Sequence, residues 1–409
     1  MLGALDDTIC AIATPPGEGG IGILRISGLR ALDVASEVVR LRSGKPLRAL
    51  PTHKLTLADL CAGHTNTSAA ETREPCAPSF IDEALVVVMK GPHSFTGEDV
   101  VEVQCHGGPV ILEQLCRGLI SAGARLATPG EFTKRAFLNG RLDLAQAEAV
   151  LDTIRAKTAR SLTVAQSQRR GELSRYVEEI RSELVVALAH IEAALDFAEE
   201  DISFVRQDEL IRLLDATRHK LRRLLQSGRD GRIWREGAVV AILGRPNVGK
   251  SSLMNALLQS DRAIVTAIPG TTRDLLEELV SIEGIPVRLL DTAGIRMTDD
   301  PVEVEGIRRS RLAWSDADLA LILLDGSQPL SESDYALLAE PESARALLVV
   351  NKCDLPRQVS PDVLERACPG HVDAIEISAT LGIGLDGLRD AIRSRLMPGT
   401  LESNEGVLV

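Results

Sequence analysis

The chain has 409 residues, 44% hydrophobic and 25% charged, with a formal net charge of −12. That length accommodates two to three domains with buried cores, and the composition excludes a disordered chain. The acidic balance argues against bulk electrostatic attraction to nucleic acid, so any RNA contact must be local or made by a partner.

Aromatic residues make up only 2% of the chain, so its cores must be built from Leu, Val, Ile and Ala. The seven cysteines are odd in number and scattered, which fits reduced thiols better than a disulfide framework. The stretch Met1 to Asp7 lacks the basic and apolar regions of a signal peptide, and no apolar run reaches transmembrane length. A cytoplasmic location without membrane association is the expectation.

In chain order, Thr8 to Ala13 reads as a strand, Pro15 to Gly20 as a loop and Ile21 to Gly28 as a second strand. Ala31 to Leu41 reads as a helix. Cys61 to Pro78 is polar and rich in Thr, Ser, Ala and Pro, and reads as a surface loop. Its Cys61, His64 and Cys76 lack a fourth ligand of suitable spacing, so they are read as loop residues rather than a metal site. Ile81 to Lys90 and Val100 to Cys105 are strands, and Gly107-Gly108 opens a helix from Pro109 to Ile120. Cys105-His106 invites a nucleophile and base, but consecutive strand residues point to opposite faces, so Cys105 is assigned to the core. These residues define a small α+β domain, 1–120, whose ligand their pattern alone does not name.

Thr128-Pro129-Gly130-Glu131 starts a helical region, taken as a domain over 121–235. Leu144, Ala147, Leu151 and Ile154 recur at helical spacing, as do Leu184, Leu188, Ile191 and Leu195, then Leu210, Leu214, Leu221 and Leu224. Glu199-Glu200-Asp201 reads as a solvated helix end rather than a metal cluster. Arg206 to Arg235 carries nine Arg/Lys against four Asp/Glu. It is a candidate RNA-facing or partner-facing surface, with a solvated helix face as the favoured reading.

Residues 236–396 carry the most informative stretch. Gly244-Arg245-Pro246-Asn247-Val248-Gly249-Lys250-Ser251 matches the G-x-x-x-x-G-K-[ST] phosphate-binding loop. The apolar run Ala238 to Leu243 precedes it, and Ser252 to Leu258 follows with helix-forming composition. Backbone N–H groups at a helix start can then surround anionic oxygens, with Lys250 reaching the β- and γ-phosphates and Ser251 binding Mg²⁺. Asp291-Thr292-Ala293-Gly294 ends a strand where a carboxylate can hold Mg²⁺ through water and the Gly294 N–H can meet the γ-phosphate.

Asn351-Lys352-Cys353-Asp354 ends the run Ala346 to Val350. A carboxylate there can accept from the guanine N1–H and 2-amino group, a donor pair that adenine lacks. Ser378-Ala379 follows Ala374 to Ile377 and resembles the loop that backs the base. Each tetrapeptide alone is weak, because Asp at a strand end is usually a turn former. Their order, each after a strand, defines a GTP-binding domain. Strands are expected near 238–243, 277–282, 286–290, 319–324, 346–350 and 374–377. Glu277 to Leu290 forms a hairpin around Glu283-Gly284, which adds an antiparallel strand to a parallel sheet, and Gly387 to Leu396 is the last helix. Ile295 stands where many small GTPases carry a water-orienting Gln, so another group must serve. The segment from Thr266 to Asp274 lies where a switch should be.

Motifs outside the nucleotide domain are more specific still. They are Thr8-Ile9 with Ser27-Gly28, Ser94-Phe95-Thr96-Gly97-Glu98-Asp99, His106-Gly107-Gly108, Pro129-Gly130-Glu131-Phe132, Arg135 to Gly140 and Leu142 to Ala149. With Gly244 to Ser252 and Pro269-Gly270-Thr271-Thr272-Arg273-Asp274, they make the whole chain resemble the MnmE (TrmE) family of tRNA modification GTPases. The resemblance implies a multidomain α/β protein: a P-loop GTPase domain inserted in an α-helical bundle domain, preceded by a small α+β folate-binding domain.

It further implies a homodimer formed through the N-terminal domain, and a heterotetramer with the FAD protein MnmG that modifies C5 of the wobble uridine of tRNA. The one-carbon unit would come from tetrahydrofolate, as the 5,10-methylene or 5-formyl form. By position, Arg25, Glu102 and Arg141 match the family's folate contacts, although Lys is more usual at Arg141. Asn247, Thr266, Ile268 and Thr271 match its K⁺ ligands, and Ser251 and Thr272 its Mg²⁺ ligands. Glu303, Thr272 and Gly294 match its catalytic groups, Glu303 helping to place the attacking water. The implied GTP contacts run over Asn247, Val248, Gly249, Lys250, Ser251 and Ser252, then Thr266, Ala267, Ile268, Pro269, Gly270, Thr271 and Thr272. They continue through Asp291, Thr292, Ala293 and Gly294 to Asn351, Lys352, Asp354, Ser378 and Ala379.

The family's helical domain is completed by a segment after the nucleotide domain that ends in C-x-G-K. This sequence stops at Val409 after a tail, 397–409, and its last cysteine is Cys368. The expectation is that GTP hydrolysis survives and tRNA modification is impaired, with apolar helix faces left uncovered. Two other readings fit the nucleotide motifs alone: a regulatory switch in ribosome assembly, and a GTP-binding module without turnover. The first 130 residues count against the assembly switch, since no RNA-binding module is visible there.

Overall fold

The computed structural model describes residues 7–61, 79–196, 207–260, 277–291, 317–340, 346–367 and 374–398. The chain divides into two compact units, Met1–Glu148 and Ala149–Val409.

The first unit contains β1 (Ile9–Ile12), β2 (Gly19–Ser27), α1 (Ala31–Val38), β3 (Val39–Leu41), β4 (Thr56–Cys61), β5 (Phe80–Met89), β6 (Val100–Gly107), α2 (Pro109–Ser121), β7 (Arg125–Leu126) and α3 (Glu131–Leu138). Its seven-stranded sheet runs β3-β4-β5-β6-β2-β1-β7, antiparallel except where β7 joins β1. Alternation sets the faces: Leu24, Ile26, Ala84, Val86, Val88, Val101, Val103 and Cys105 point into one core with α1 and α2. Leu112, Leu115, Cys116 and Leu119 form the apolar stripe of α2, spaced i, i+3, i+4, i+7. Leu115 and Leu119 are fully buried, each stabilising by about 2 kcal/mol.

The expected helix over Ala31 to Leu41 stops at Val38. Val39-Arg40-Leu41 instead pairs with Leu60, Asp59 and Ala58 as an edge strand, where β-branched Val39 is better placed. Cys61 is buried at the end of β4 rather than in a loop; His64 and Cys76 lie outside the described residues. Cys105 is in the core and its thiol is pushed up to about 11, first by burial, while His106 points out toward Asp82. The two form no dyad, as the strand geometry requires.

α4 (Leu144–Arg155) follows, then α5 (Ala159–Arg169), α6 (Glu172–Asp196) and α7 (Gln207–Glu236). A capping box between Thr158 and Ser161 fixes the start of α5. α6 and α7 are tied by Glu183, which accepts from Thr217 at 3.1 Å and from Lys220. The helices form where periodicity places them. Their leucines are not all core, however: Leu188 is 53% and Leu195 72% exposed. The acidic run Glu199-Glu200-Asp201 lies outside the described residues.

The nucleotide domain comprises β8 (Ala238–Leu243), α8 (Lys250–Ser260), β9 (Glu277–Ile282), β10 (Ile285–Asp291), β11 (Leu319–Asp325), α9 (Glu332–Leu338), β12 (Leu347–Asn351), α10 (Pro361–Ala367), β13 (Ile375–Glu376) and α11 (Leu385–Leu396). The sheet order is β13-β12-β11-β8-β10-β9, parallel except for β9. Both faces are covered, which is why β8, β11 and β12 read as unbroken apolar runs rather than alternating ones. The expected hairpin turns at Glu283 (φ 49°) and Gly284 (φ 83°), both in the left-handed region as a type I′ turn requires. A Cβ on Gly284 would sit 3.9 Å from Arg160 and 4.0 Å from Trp234, which belongs to the same core as β8 and β10.

Candidate functional site

The phosphate loop leaves β8 at the carboxyl ends of the parallel strands, where open α/β sheets bind ligands. Gly244 (φ 149°), Asn247 (φ 65°) and Gly249 (φ 103°) all adopt positive φ, curling the backbone into a cradle before α8. No side chain fits at two of them. A Cβ on Gly244 would sit 2.5 Å from the Leu323 carbonyl oxygen, and one on Gly249 would sit 2.2 Å from Asn351 Nδ2. Lys250 is buried, and its ammonium donates to the Gly244 and Arg245 carbonyls at 2.7 and 2.9 Å. The cationic group is thereby folded over the loop, in the position a phosphate cradle needs. Ser251 and Ser252 open the first turn of α8 and are exposed.

Asn351 joins three loops. Its Nδ2 donates to the Val248 carbonyl at 2.8 Å, and its Oδ1 accepts from the Ala379 N–H at 3.0 Å. Lys352 adopts φ 66° and turns its ammonium back to the Asn247 carbonyl at 3.2 Å and to Asp325 at 2.6 Å. Cys353 N–H bonds the Ile377 carbonyl at 3.0 Å, which leaves Asp354 exposed beside the Ser378-Ala379 loop. Ser378 is itself buried. The structure thus links the phosphate loop at Asn247 and Val248 to Asn351, Lys352 and Ala379 by direct bonds, with Lys250 folded back on the same loop.

Asp325 was not singled out from the sequence. It is 4% exposed, and burial by itself would raise its pKa, but hydrogen bonds from Lys352 and Ser327 overcome this and hold the carboxylate below its ordinary range. Its available signal was the end of a wholly apolar strand beside β12. Thr266 to Thr272, Thr292, Ala293, Gly294 and Glu303 lie outside the described residues, as do Ile295 and Cys368. Asp291 closes β10, paired with Ile242 of β8.

A second constellation occupies the open face of the first unit. Arg25 and Glu102 are direct cross-strand partners, with Arg25 Nε donating to Glu102 Oε1 at 2.7 Å. The Arg25 guanidinium lies 5.6 Å from the Phe95 ring centre and 5.7 Å from that of Phe132. Arg141 Nε donates to the Ser94 carbonyl at 3.1 Å, and Asn139 Nδ2 to the Thr96 carbonyl at 2.7 Å. The 94–98 loop is thus what draws Arg25, Glu102 and Arg141 together. Below it Ser27 lies 2.7 Å from Thr96 and donates to Glu98 at 2.7 Å, while buried Arg135 reaches Glu98 at 3.2 Å. Phe95 and Phe132 were noted in the sequence only as parts of motifs; their aromatic faces emerge with the fold.

A phosphate cradle on a largely parallel sheet, joined by Asn351 to the Ser378-Ala379 loop, defines a P-loop GTP-binding domain. Family models match both parts of the chain: "GTP-binding protein TrmE N-terminus" over residues 8–141 and "MnmE helical domain" over 144–409. Relatives named tRNA modification GTPase MnmE agree. That of Clostridioides difficile (strain 630) is 43% identical over 405 residues, 99% of this chain and 85% of its own length. That of Geobacter sulfurreducens is 45% identical over 407 residues, 99% and 85% of the two chains. That of Heliobacterium modesticaldum is 47% identical over 387 residues, 95% and 80% respectively.

The chain belongs to the MnmE family of tRNA modification GTPases. It is a GTPase, and the relatives in its family are named for tRNA modification. Membership selects this reading over a ribosome-assembly switch. No helix among the described residues is long and apolar enough to cross a membrane.

Proposed function

We propose that this chain is a K⁺-dependent GTPase that works with an FAD-containing partner of the MnmG type. Together they modify C5 of the wobble uridine of tRNA with a one-carbon unit from a tetrahydrofolate derivative. The observation that carries the folate part is the convergence of Arg25, Glu102 and Arg141 on the 94–98 loop, beside the rings of Phe95 and Phe132. An ion pair and two aromatic faces suit a flat, amide-rich heterocycle with a carboxylate tail. Arg25 and Glu102 would orient the ring through complementary hydrogen bonds, and Arg141 would meet an anionic group. The folate, when bound, supplies the one-carbon unit.

For hydrolysis, Lys250 would neutralise the β- and γ-phosphates, and Ser251 with Thr272 would hold Mg²⁺. So held, Mg²⁺ would offset negative charge on the phosphate oxygens, while Lys250 would stabilise the charge that builds as water adds to the γ-phosphorus and the bond from that phosphorus to the β–γ bridging oxygen breaks. Glu303 would place that water, with the Gly294 N–H on the γ-phosphate. Asn247, whose side chain is exposed at the cradle rim, would join Thr266, Ile268 and Thr271 in holding K⁺. Oxygen ligands of this kind fit a hard monovalent cation, and the added charge is worth what an arginine finger supplies elsewhere, about 10³–10⁵ in rate. Asp354, backed by Ser378-Ala379, would read guanine.

The domains we assign are 1–120 for folate and homodimer formation, 121–235 helical, 236–396 for GTP, and a tail over 397–409; the cell compartment is the cytoplasm. Hydrolysis in KCl against NaCl at equal ionic strength tests the cation reading, which equal slow rates in both salts would sink. Calorimetric titration with 5-formyltetrahydrofolate tests the other site. Binding there should be lost in Arg25→Ala, and a wild-type chain that binds no folate would overturn that half.

A further inference from the structure

We propose that Asp325 is a positioning residue for the nucleotide: acting through Lys352, it fixes the spacing between the phosphate loop and the base-reading loop and so sets how long a guanine nucleotide stays bound. Asp325 is the last residue of β11 and lies directly across the ladder from Asn351, the last residue of β12. Its carboxylate is divided between two tasks. Oδ1 accepts from Ser327 N–H at 2.9 Å and from Ser327 Oγ at 2.6 Å, which closes the turn after β11. Oδ2 takes the Lys352 ammonium at 2.6 Å.

Lys352 needs such a partner. At φ 66° it occupies a conformation that costs a side-chain-bearing residue free energy, and the surroundings must hold it there. The same ammonium donates to the Asn247 carbonyl at 3.2 Å, and Asn247 is itself left-handed at φ 65°. Two left-handed residues, one from each loop that would touch the nucleotide, are therefore joined by one lysine, and the far end of that lysine is held by a carboxylate that is 4% exposed. A charge-assisted bond at that depth is stronger and more directional than a neutral one. Without it, among the described residues, Lys352 retains only the longer contact to Asn247, and the side chain of Asn351 is left as the main tie between the two loops.

The inference rests on the reading of Asn351 to Asp354 as the base-reading motif. The test measures release of a fluorescent GDP by stopped flow from the full chain carrying Asp325→Ala or Asp325→Asn. It also measures acetylation of Lys352 relative to Lys250 by mass spectrometry on the nucleotide-free proteins. Release should be about tenfold faster in the alanine variant, the loss expected for one charged hydrogen bond, and about threefold faster in the asparagine variant. Lys352 should become several-fold more reactive while Lys250 does not change, a selectivity that a general loosening of the fold would not give.

Release within about twofold of wild type in both variants overturns the proposal, as does unchanged Lys352 reactivity. Should the alanine variant fail to fold, the isosteric asparagine variant, which can still close the Ser327 turn, decides alone. A wild-type chain that holds fluorescent ADP as long as GDP would instead overturn the base-reading assignment. Guanine preference with unchanged release in the variants overturns only the role of Asp325.

Discussion

Replacing Asn351 with alanine removes the strut between three loops, and its effect can be worked from the geometry. Asn351 is 3% exposed and makes two side-chain hydrogen bonds, 2.8 Å to the Val248 carbonyl and 3.0 Å from the Ala379 N–H. Each bond contributes about 1 kcal/mol net, and each backbone group stranded without a partner costs about 1–3 kcal/mol where water cannot reach it. Some relief by water is expected at the loop ends, so the total should be about 3–5 kcal/mol, a large share of a domain's stability. Asn351→Asp should cost nearly as much, because a carboxylate oxygen would face the Val248 carbonyl where a donor stood.

The assay is urea unfolding followed by tryptophan fluorescence in a Trp314→Phe background. Trp234, in the core shared with β8 and β10, is then the reporter. A shift in midpoint equivalent to less than about 1 kcal/mol would show that the strut is not needed and would refute the reasoning.

Two further outcomes are open to measurement, one at the same strut and one in the first unit. Gly249→Ala should weaken GTP binding at least about a hundredfold, since its Cβ would stand 2.2 Å from Asn351 Nδ2 at φ 103°; titration with a fluorescent nucleotide measures it, and wild-type affinity would sink the steric account. Glu131 should add acid resistance to the first unit: bonding chiefly from Arg125 draws its carboxyl from 4.5 to about 2, so its contribution is complete above pH 4.5 and is lost as pH falls toward 2. Allowing for a half-exposed Arg125, Glu131→Gln should cost about 1–3 kcal/mol at neutral pH, with the gap to wild type closing on acidification; a gap that stays constant down to pH 2 would contradict this.

The nucleotide domain was legible because parallel strands covered on both faces are apolar runs that end in recognisable loops. Ala238 to Leu243 and Leu347 to Asn351 lie within a residue of where pattern alone puts them. Edge structure was not: β3 has three residues, and the β4 sequence Thr56-Leu57-Ala58-Asp59-Leu60-Cys61 runs into a polar stretch that masks its alternation. Helix periodicity located the stripe on α6 but not what lies against it, since spacing specifies a face and not a partner. Asp325 escaped notice for a related reason: Asp-Gly-Ser after a strand is the signature of a turn. Only the adjacency of β11 and β12, a fact about the fold rather than the chain, brings Lys352 to it.

The pairing of Arg25 with Glu102 carries a consequence for assembly. The register that sets them opposite each other also sends Leu24, Ile26, Val101 and Val103 into the core. Sliding β2 by a single residue would turn Arg25 inward among aliphatic side chains and separate it from its counter-charge, at a cost of several kcal/mol. An alternating apolar strand without such a residue could settle in a neighbouring alignment at much lower cost. The two groups that would greet a ligand are thus also a built-in proofreading device for the sheet, and mutating either one relaxes the alignment of the strands as well as the chemistry on their surface.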